Sequence, residues 1–294
     1  MNAPMVFALP GNEPMAASVT SALEAEPGLL EIRQFPDGES YVRYKSDPSG
    51  RSIILVCTLD RPDAKFLRLA FAAAAARDLN AARVGLVAPY LAYMRQDRRF
   101  HPGEAITSAT FADLLSTFFD WFVTVDPHLH RYAGLDAIYS IPAGVVHAAP
   151  MLADWISAQV TRPLLIGPDV ESEQWVSKVA GRIGAPYRVL RKTRFGDRNV
   201  RVAVPDLGSF AGHTPVLIDD IVSSGRTMIE TLAQLRDQGL KQPVCAAVHG
   251  LFSDEAFTEL TAGAAVVVTT NSVPHSSNRI DLSVMIAKAA AEFI

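Results

Sequence analysis

The sequence predicts an α/β protein built on parallel sheets, and three observations carry that prediction. Short apolar runs recur along all 294 residues, each ends in polar or charged residues, and amphipathic stretches of helical period separate them. Alternating strand and helix is the pattern of βαβ units, whose sheets are covered on both faces and whose strands are therefore apolar throughout. A chain of this length exceeds what one core usually fills, so two α/β domains are expected, 1–145 and 146–294.

The runs with strand character are Ile53–Cys57, Val84–Ala88, Trp121–Val125, Pro163–Ile166, Val216–Ile218, Val244–Val248 and Ala264–Val268. Lys65–Arg77 and Thr107–Phe118 read as helices between them, and the alanine run Ala72–Ala76 is the best helix former rather than low complexity. Pro142 and Gly144 punctuate Ile141–Val146, where one domain is expected to give way to the next. Open α/β sheets bind ligands beyond the carboxyl ends of their strands. Asp60, Arg95, Asp126, His128, Asp169, Asp219, Asp220 and His249 all fall there, and that agreement points to an enzyme.

Composition narrows the function classes. Hydrophobic residues make up 49%, charged residues 20%, and the net charge is −4, which does not suit a nucleic-acid-binding surface. No basic stretch precedes the apolar residues of MNAPMVFALP and no run approaches 18 apolar residues, so neither a signal peptide nor a membrane span is expected and the location is read as cytoplasmic. Cys57 and Cys245 each lie inside an apolar run, as reduced buried thiols do.

The most informative segment is Val216–Met228, an apolar strand that leads into Asp219 and Asp220 and then a turn rich in hydroxyls. Met228, Leu232 and Leu235 recur at helical spacing, so Ser223–Thr227 should link the strand to a helix start. Unpaired N–H groups and the positive end of the helix dipole, with Ser223, Ser224 and Thr227 beside them, suit a phosphate monoester. Ionised Asp219 and Asp220 only accept hydrogen bonds and so suit vicinal sugar hydroxyls; the alternative is that they cap the helix.

Four further segments carry weight. Tyr90–Arg99 places Arg95, Gln96, Asp97, Arg98 and Arg99 after a strand, which suits a nucleotide or, alternatively, a solvated charge run. Arg33–Glu39, with Phe35, Asp37 and Glu39, reads as an exposed turn. Asp126–His130 holds His128 and His130 in an H-x-H pattern that could flank a cation, and a zinc hydrolase stays open on that basis. Arg188–Arg198 carries five cations around Gly196 and reads as a mobile loop that closes on phosphate. P-loop, dinucleotide-binding, zincin and nucleophile-elbow motifs are all missing.

Taken in order, FPDGE, YLAYMRQDRRFHPGEAITSATFADLL, VDPHLH, GPDVESEQW, RKTRFG and VLIDDIVSSGRT resemble the ribose-phosphate pyrophosphokinases along nearly the whole chain. Type I phosphoribosyltransferases share only the last of these segments. The resemblance implies two phosphoribosyltransferase-like domains, each a mainly parallel sheet flanked by helices, with ATP-binding segments in 1–145 and the ribose 5-phosphate and catalytic loops in 146–294. It implies the reaction of ATP with ribose 5-phosphate to give 5-phosphoribosyl 1-diphosphate and AMP.

On the same resemblance Phe35, Asp37, Glu39, Arg95, Gln96 and Asp97 hold ATP, while Asp219, Asp220, Ser223, Ser224, Gly225 and Thr227 hold ribose 5-phosphate. Lys192 and Arg194 are catalytic, and His128 and Asp169 bind Mg2+. It implies a homo-oligomer built from dimers, with the FPDGE turn reaching into a neighbour's ATP site, and neither nucleic acid nor membrane as a partner. A phosphoribosyltransferase that consumes phosphoribosyl diphosphate and a non-catalytic regulatory partner of a synthetase are the competing readings.

Overall fold

The computed structural model describes residues 3–129, 131–169, 172–195, 199–240 and 242–294, with side chains left out at 174, 191–195 and 199–203. Two compact units make up the chain. The first holds Met1–Val146, Ser272–Pro274 and Leu282–Ile294; the second holds His147–Asn271 and His275–Asp281.

The first unit begins with β1 (Met5–Ala8), α1 (Glu13–Ala22) and β2 (Glu26–Gly28). An antiparallel hairpin follows, β3 (Leu30–Gln34) and β4 (Ser40–Tyr44), and then β5 (Ser52–Val56), α2 (Phe66–Asp78), β6 (Arg83–Val87), α3 (Thr107–Phe118), β7 (Trp121–Val125) and β8 (Ala143–Val146). The strands other than the hairpin form one parallel sheet in the order β2-β1-β5-β6-β7-β8. Central strands such as Ile53–Val56 and Trp121–Val125 are wholly buried, because helices cover both faces. Leu69, Ala70, Ala72, Ala73 and Ala76 form the buried stripe of α2, so the alanine run lets this helix lie close to its neighbours.

The second unit repeats that plan. It comprises α4 (Ala149–Gln159), β9 (Pro163–Gly167), α5 (Glu173–Ile183), β10 (Tyr187–Val189), the hairpin β11 (Arg191–Phe195) and β12 (Asn199–Ala203), β13 (Thr214–Val222), α6 (Arg226–Asp237), β14 (Val244–Gly250), α7 (Asp254–Gly263), β15 (Val266–Thr270) and β16 (Asn278–Ile280). Its parallel sheet runs β10-β9-β13-β14-β15-β16, strand for strand the order of the first. Leu164, Ile166, Leu217, Met228, Leu232, Leu235, Cys245 and Leu260 form its core.

The first unit's opening segment ends at Val146, within the span where one domain is expected to give way to the next, and Ala143–Val146 pairs with β7 as the edge strand β8. One expectation changes. The last helix, α8 (Ser283–Ala291), joins the first unit and not the second, because its buried stripe of Ile286, Ala287 and Ala290 packs on α1, β7 and β8. Phe293 stacks on Trp121 with centroids 5.3 Å apart, and its carbonyl accepts a hydrogen bond of 2.6 Å from Arg83 Nη1. Both cysteines are buried, which pushes each thiol up to about 12 and leaves it inert.

Candidate functional site

Strand β13 occupies the middle of the second sheet, and parallel pairing fixes what lies at its carboxyl end. Leu217 pairs with Ile166 on one side and Cys245 on the other, so Asp219 lies at the level of Pro168 and Ala247, one residue short of Asp169. The strand continues through Val222, four residues beyond the apolar core of the run, and carries both carboxylates within it. Neither one caps a helix. Asp219 Oδ1 accepts the N–H of Asp220 at 3.0 Å and Asp220 Oδ1 accepts that of Ile221 at 2.7 Å, while the N-cap of α6 is Gly225 with no side-chain cap. The capping alternative is thereby removed.

Ser223, Ser224 and Gly225 turn the chain into α6, and Gly225 has φ +63°, a left-handed conformation that glycine adopts without strain. An added Cβ there would meet Leu260 Cδ1 at 3.2 Å and Ile229 Cδ1 at 3.4 Å. Leu251 N donates to the carbonyl of Val222 and Ser253 N to that of Ser223, so the segment after β14 braces the turn. Thr227 stands in the first turn of the helix, and Ser224 is exposed. The uncapped start of α6, with Ser223, Ser224 and Thr227 around it, thus follows directly on the strand that carries the two carboxylates, a sequence of groups that suits an anion next to acceptors for a diol.

Asp169 follows β9 in a tight turn in which its Oδ1 accepts the N–H of Ser172 at 3.2 Å and its carbonyl the hydroxyl of Ser172 at 2.6 Å. Dense packing, then the charge of Asp220, and more weakly that of Asp169, hold the Asp219 carboxyl well above the usual carboxylate range. The three acids are near enough to repel, yet among the described residues no group of three or more His, Cys, Asp or Glu side chains converges on a point that could hold a metal. His128 belongs to the first unit and Asp169 to the second, and His130 lies outside the described residues, as do Val170 and Glu171.

The first unit has the equivalent crevice, and its own side chains fill it. Thr58 lies two residues past Val56, which pairs with Ala8, as Asp219 lies two past Leu217, which pairs with Ile166. Thr58 N donates to Asn12 Oδ1 at 2.8 Å, the Thr58 hydroxyl donates to the carbonyl of Ser272 at 2.6 Å, and Tyr90 N donates to that hydroxyl at 3.2 Å. Asn12 and Thr58 are both buried. At this level of the repeated sheet the first unit thus carries the hydrogen-bonded Thr58 where the second carries Asp219.

The predicted nucleotide residues sit on two parts of the first unit. Tyr93, with φ +61°, donates its hydroxyl to Asp63 and turns the chain so that Arg95 is exposed and Gln96 half-buried at the start of the long connection to α3. Gln96 Oε1 accepts from Thr107 Oγ1 at 3.3 Å. Asp97 is buried, and Arg131 Nη1 donates to both its oxygens at 2.9 and 3.0 Å, which ties the loop to Arg131. Nothing in the sequence singled out Arg131, 34 residues away. Further along, Glu104 accepts the N–H groups of Phe100 and His101 at 2.7 and 3.0 Å, which lowers its carboxyl and closes the loop.

Phe35, Asp37 and Glu39 crown the β3–β4 hairpin, where Gly38 N donates to Phe35 O and Phe35 N to Glu39 O. Lys192 and Arg194 lie on β11, which pairs in register with β12. β11 and β12 form an antiparallel ribbon that follows β10 as β3–β4 follows β2 in the first unit, and the expectation of a mobile loop falls in part on Gly196, Asp197 and Arg198, which lie outside the described residues.

Comparison with known proteins decides the family. Residues 4–118 match the N-terminal domain of ribose phosphate pyrophosphokinase, and residues 134–280 match the phosphoribosyl transferase domain. The chain is 33% identical to the ribose-phosphate pyrophosphokinase of Sulfolobus acidocaldarius over 88% of this chain and 90% of that one. The chain belongs to the ribose-phosphate pyrophosphokinase family. The pyrophosphokinase of Methanopyrus kandleri is 32% identical over 91% of each chain. The crystal structure of phosphoribosylpyrophosphate synthetase from Mycobacterium smegmatis aligns with a TM-score of 0.86 at 26% identity, covering 100% of this chain and 99% of that one. Like its pyrophosphokinase relatives the protein is an enzyme, a transferase with two phosphoribosyltransferase-like domains. Among the described residues no helix is long and apolar enough to cross a membrane.

Proposed function

We propose that the protein is a ribose-phosphate diphosphokinase, which transfers the diphosphoryl group of ATP to O1 of ribose 5-phosphate and releases 5-phosphoribosyl 1-diphosphate and AMP. The observation that carries this reading is the corner at the end of β13, where Asp219 and Asp220 stand beside the uncapped start of α6. Ser223, Ser224, Gly225 and Thr227 hold the 5-phosphate through N–H groups and hydroxyls, and Asp219 and Asp220 accept hydrogen bonds from the ribose hydroxyls. The reaction needs no protein nucleophile. The sugar O1 attacks the β-phosphorus, the bond from the β-phosphorus to the oxygen bridging it to the α-phosphate breaks, and AMP leaves with that oxygen. A reading as a phosphoribosyltransferase accounts for residues 134–280 but leaves 4–118 without a purpose.

Phe35, Asp37, Glu39, Arg95, Gln96 and Asp97 serve ATP, with the Asp97 carboxylate held by Arg131. Lys192 and Arg194 on β11 neutralise charge that develops on the transferred group. The family resemblance implies Mg2+, with His128 of the first unit and Asp169 of the second as its ligands. When bound, Mg2+ offsets the charge of the triphosphate. The working form is a cytoplasmic homo-oligomer built from dimers.

Equilibrium binding of ribose 5-phosphate tests the sugar site. Asp220→Asn should weaken it by tenfold or more with circular dichroism and melting unchanged, since a carboxylate that accepts from two hydroxyls is replaced by a group that can misdirect a donor. Unchanged affinity would remove Asp220 from the site.

A further inference from the structure

The β3–β4 ribbon has two faces. Ser40, Val42 and Tyr44 alternate toward α2, where Tyr44 donates its hydroxyl to the carbonyl of Ala72 at 2.9 Å and Arg68 Nε reaches Ser40 Oγ at 3.4 Å. The other face carries Arg33, Phe35 and Tyr41. Arg33 pairs directly with Tyr41 across the strands and stands two residues before Phe35. Its guanidinium carbon lies 4.1 Å from the Tyr41 ring centroid and 4.6 Å from that of Phe35, and the two rings are 6.0 Å apart at 87°.

Among the described residues Arg33 has no strong ionic partner to account for this placement. Glu31 approaches it only to 3.9 Å and gives its other oxygen to Lys45 at 2.8 Å. Meanwhile the backbone of the tip is already fixed: Gly38, at φ +94°, donates to Phe35 O at 2.9 Å, Gln34 Nε2 donates to Gly38 O at 2.7 Å, and Glu39 N to Asp37 Oδ1 at 3.1 Å. The Phe35 ring, 38% exposed, is what remains to be held. A free aromatic ring on an exposed turn would spread over its rotamers and lose that entropy on stacking against a ligand.

We propose that Arg33 is a positioning residue, which with Tyr41 fixes the Phe35 ring in the orientation that receives the base of ATP. The inference rests on the proposed role of Phe35 in binding ATP. It assigns Arg33 no contact with the nucleotide. An exposed cation–π contact of this kind corresponds to about a two- to fivefold change in affinity.

Isothermal titration of the full-length protein with ATP, together with KM and kcat, tests it on Arg33→Ala, Arg33→Lys, Phe35→Ala and the Arg33→Ala/Phe35→Ala double variant. Arg33→Ala should weaken ATP about two- to fivefold and raise its KM to match, with kcat, the KM for ribose 5-phosphate and the melting temperature nearly unmoved. Arg33→Lys should recover part of the loss, and the double variant should bind ATP no worse than Phe35→Ala alone. Normal ATP affinity in Arg33→Ala, where Phe35→Ala is impaired, overturns the positioning role. Additive losses in the double variant overturn it too, since Arg33 would then act independently of Phe35. Normal ATP binding in Phe35→Ala instead refutes the parent assignment of Phe35, and this inference with it.

Discussion

One substitution, made at two glycines, should move stability in opposite directions. Gly85 in β6 pairs with Trp121 in β7, and a Cβ at Gly85 would stand 2.1 Å from Cε2 and Cζ2 of the indole and 2.7 Å from Cδ2. Carbon atoms in contact prefer separations of roughly 3.5–4.0 Å, so the ring would have to retreat by about 1.5 Å. It has little room to do so. Trp121 is 1% exposed and stacks on Phe293, whose carbonyl Arg83 holds. Overpacking of this kind costs typically 1–3 kcal/mol, and a clash set by backbone position belongs at the upper end, about 3 kcal/mol. Gly181 lies on the exposed side of α5 with nothing within 4 Å of its Cβ position. There alanine should stabilise by roughly 0.5–1 kcal/mol, because it removes the backbone freedom that glycine loses on folding. With a urea slope of about 2 kcal/mol per molar, the midpoint should fall by about 1.5 M for Gly85→Ala and rise by about 0.3–0.5 M for Gly181→Ala. Coincident far-UV and tryptophan transitions would show that the unfolding is two-state. A Gly85→Ala midpoint at or above that of the parent would refute the packing argument.

The remaining predictions concern the site. Asp219 has a raised carboxyl in the folded state, so its ionisation opposes folding: the penalty is absent below the unfolded value near pH 4, grows as pH rises toward the folded value, and stays constant above it. Metal-free Asp219→Asn should therefore melt above the parent at neutral pH, with the gain shrinking in acid, while turnover with ribose 5-phosphate, assayed with Mg2+ present, collapses; a variant less stable at pH 7 would show the carboxylate to be favourably held. Assembly is tested by mixing Glu39→Ala and Asp220→Asn proteins under subunit exchange. If the hairpin acts across a dimer, activity must return, since an isologous pair then contains one site with both residues intact; exchange without recovery means that each chain uses its own Glu39.

Much of this fold is legible in the sequence, because central parallel strands buried on both faces are apolar throughout. All seven runs read as strands contain or overlap β5, β6, β7, β9, β13, β14 and β15. Edge strands give no such signal. β2 contains Pro27, and β16 is Asn278–Ile280, so neither has the run of apolar residues that burial imposes. The turn of the first hairpin was readable in Arg33–Glu39, but the hairpin strands escaped for a similar reason: β3 and β11 alternate or cluster charges, and only pairing with a neighbour makes them strands. Gly144 reads as punctuation at the domain boundary, and what the sequence does not show is its long-range neighbour: a Cβ there would stand 3.0 Å from Phe293 Cε2, near the other end of the chain. At the site, the order of carboxylates, hydroxyls and glycine around β13 was readable, since it is local. The pairing of Asp97 with Arg131 was not, because it depends on two loops that meet only in three dimensions.

The central claim is a chemical one, and one measurement addresses it. The purified protein incubated with ATP, ribose 5-phosphate and Mg2+ should form AMP and 5-phosphoribosyl 1-diphosphate in equal amounts, with both substrates required. Lys192→Ala should slow that rate by a factor of about 10² to 10³, the size of one electrostatic stabiliser acting in the transition state. Absence of AMP from folded protein, with diphosphate released from phosphoribosyl diphosphate only when a nucleobase is supplied, would contradict the account and make the chain a phosphoribosyltransferase.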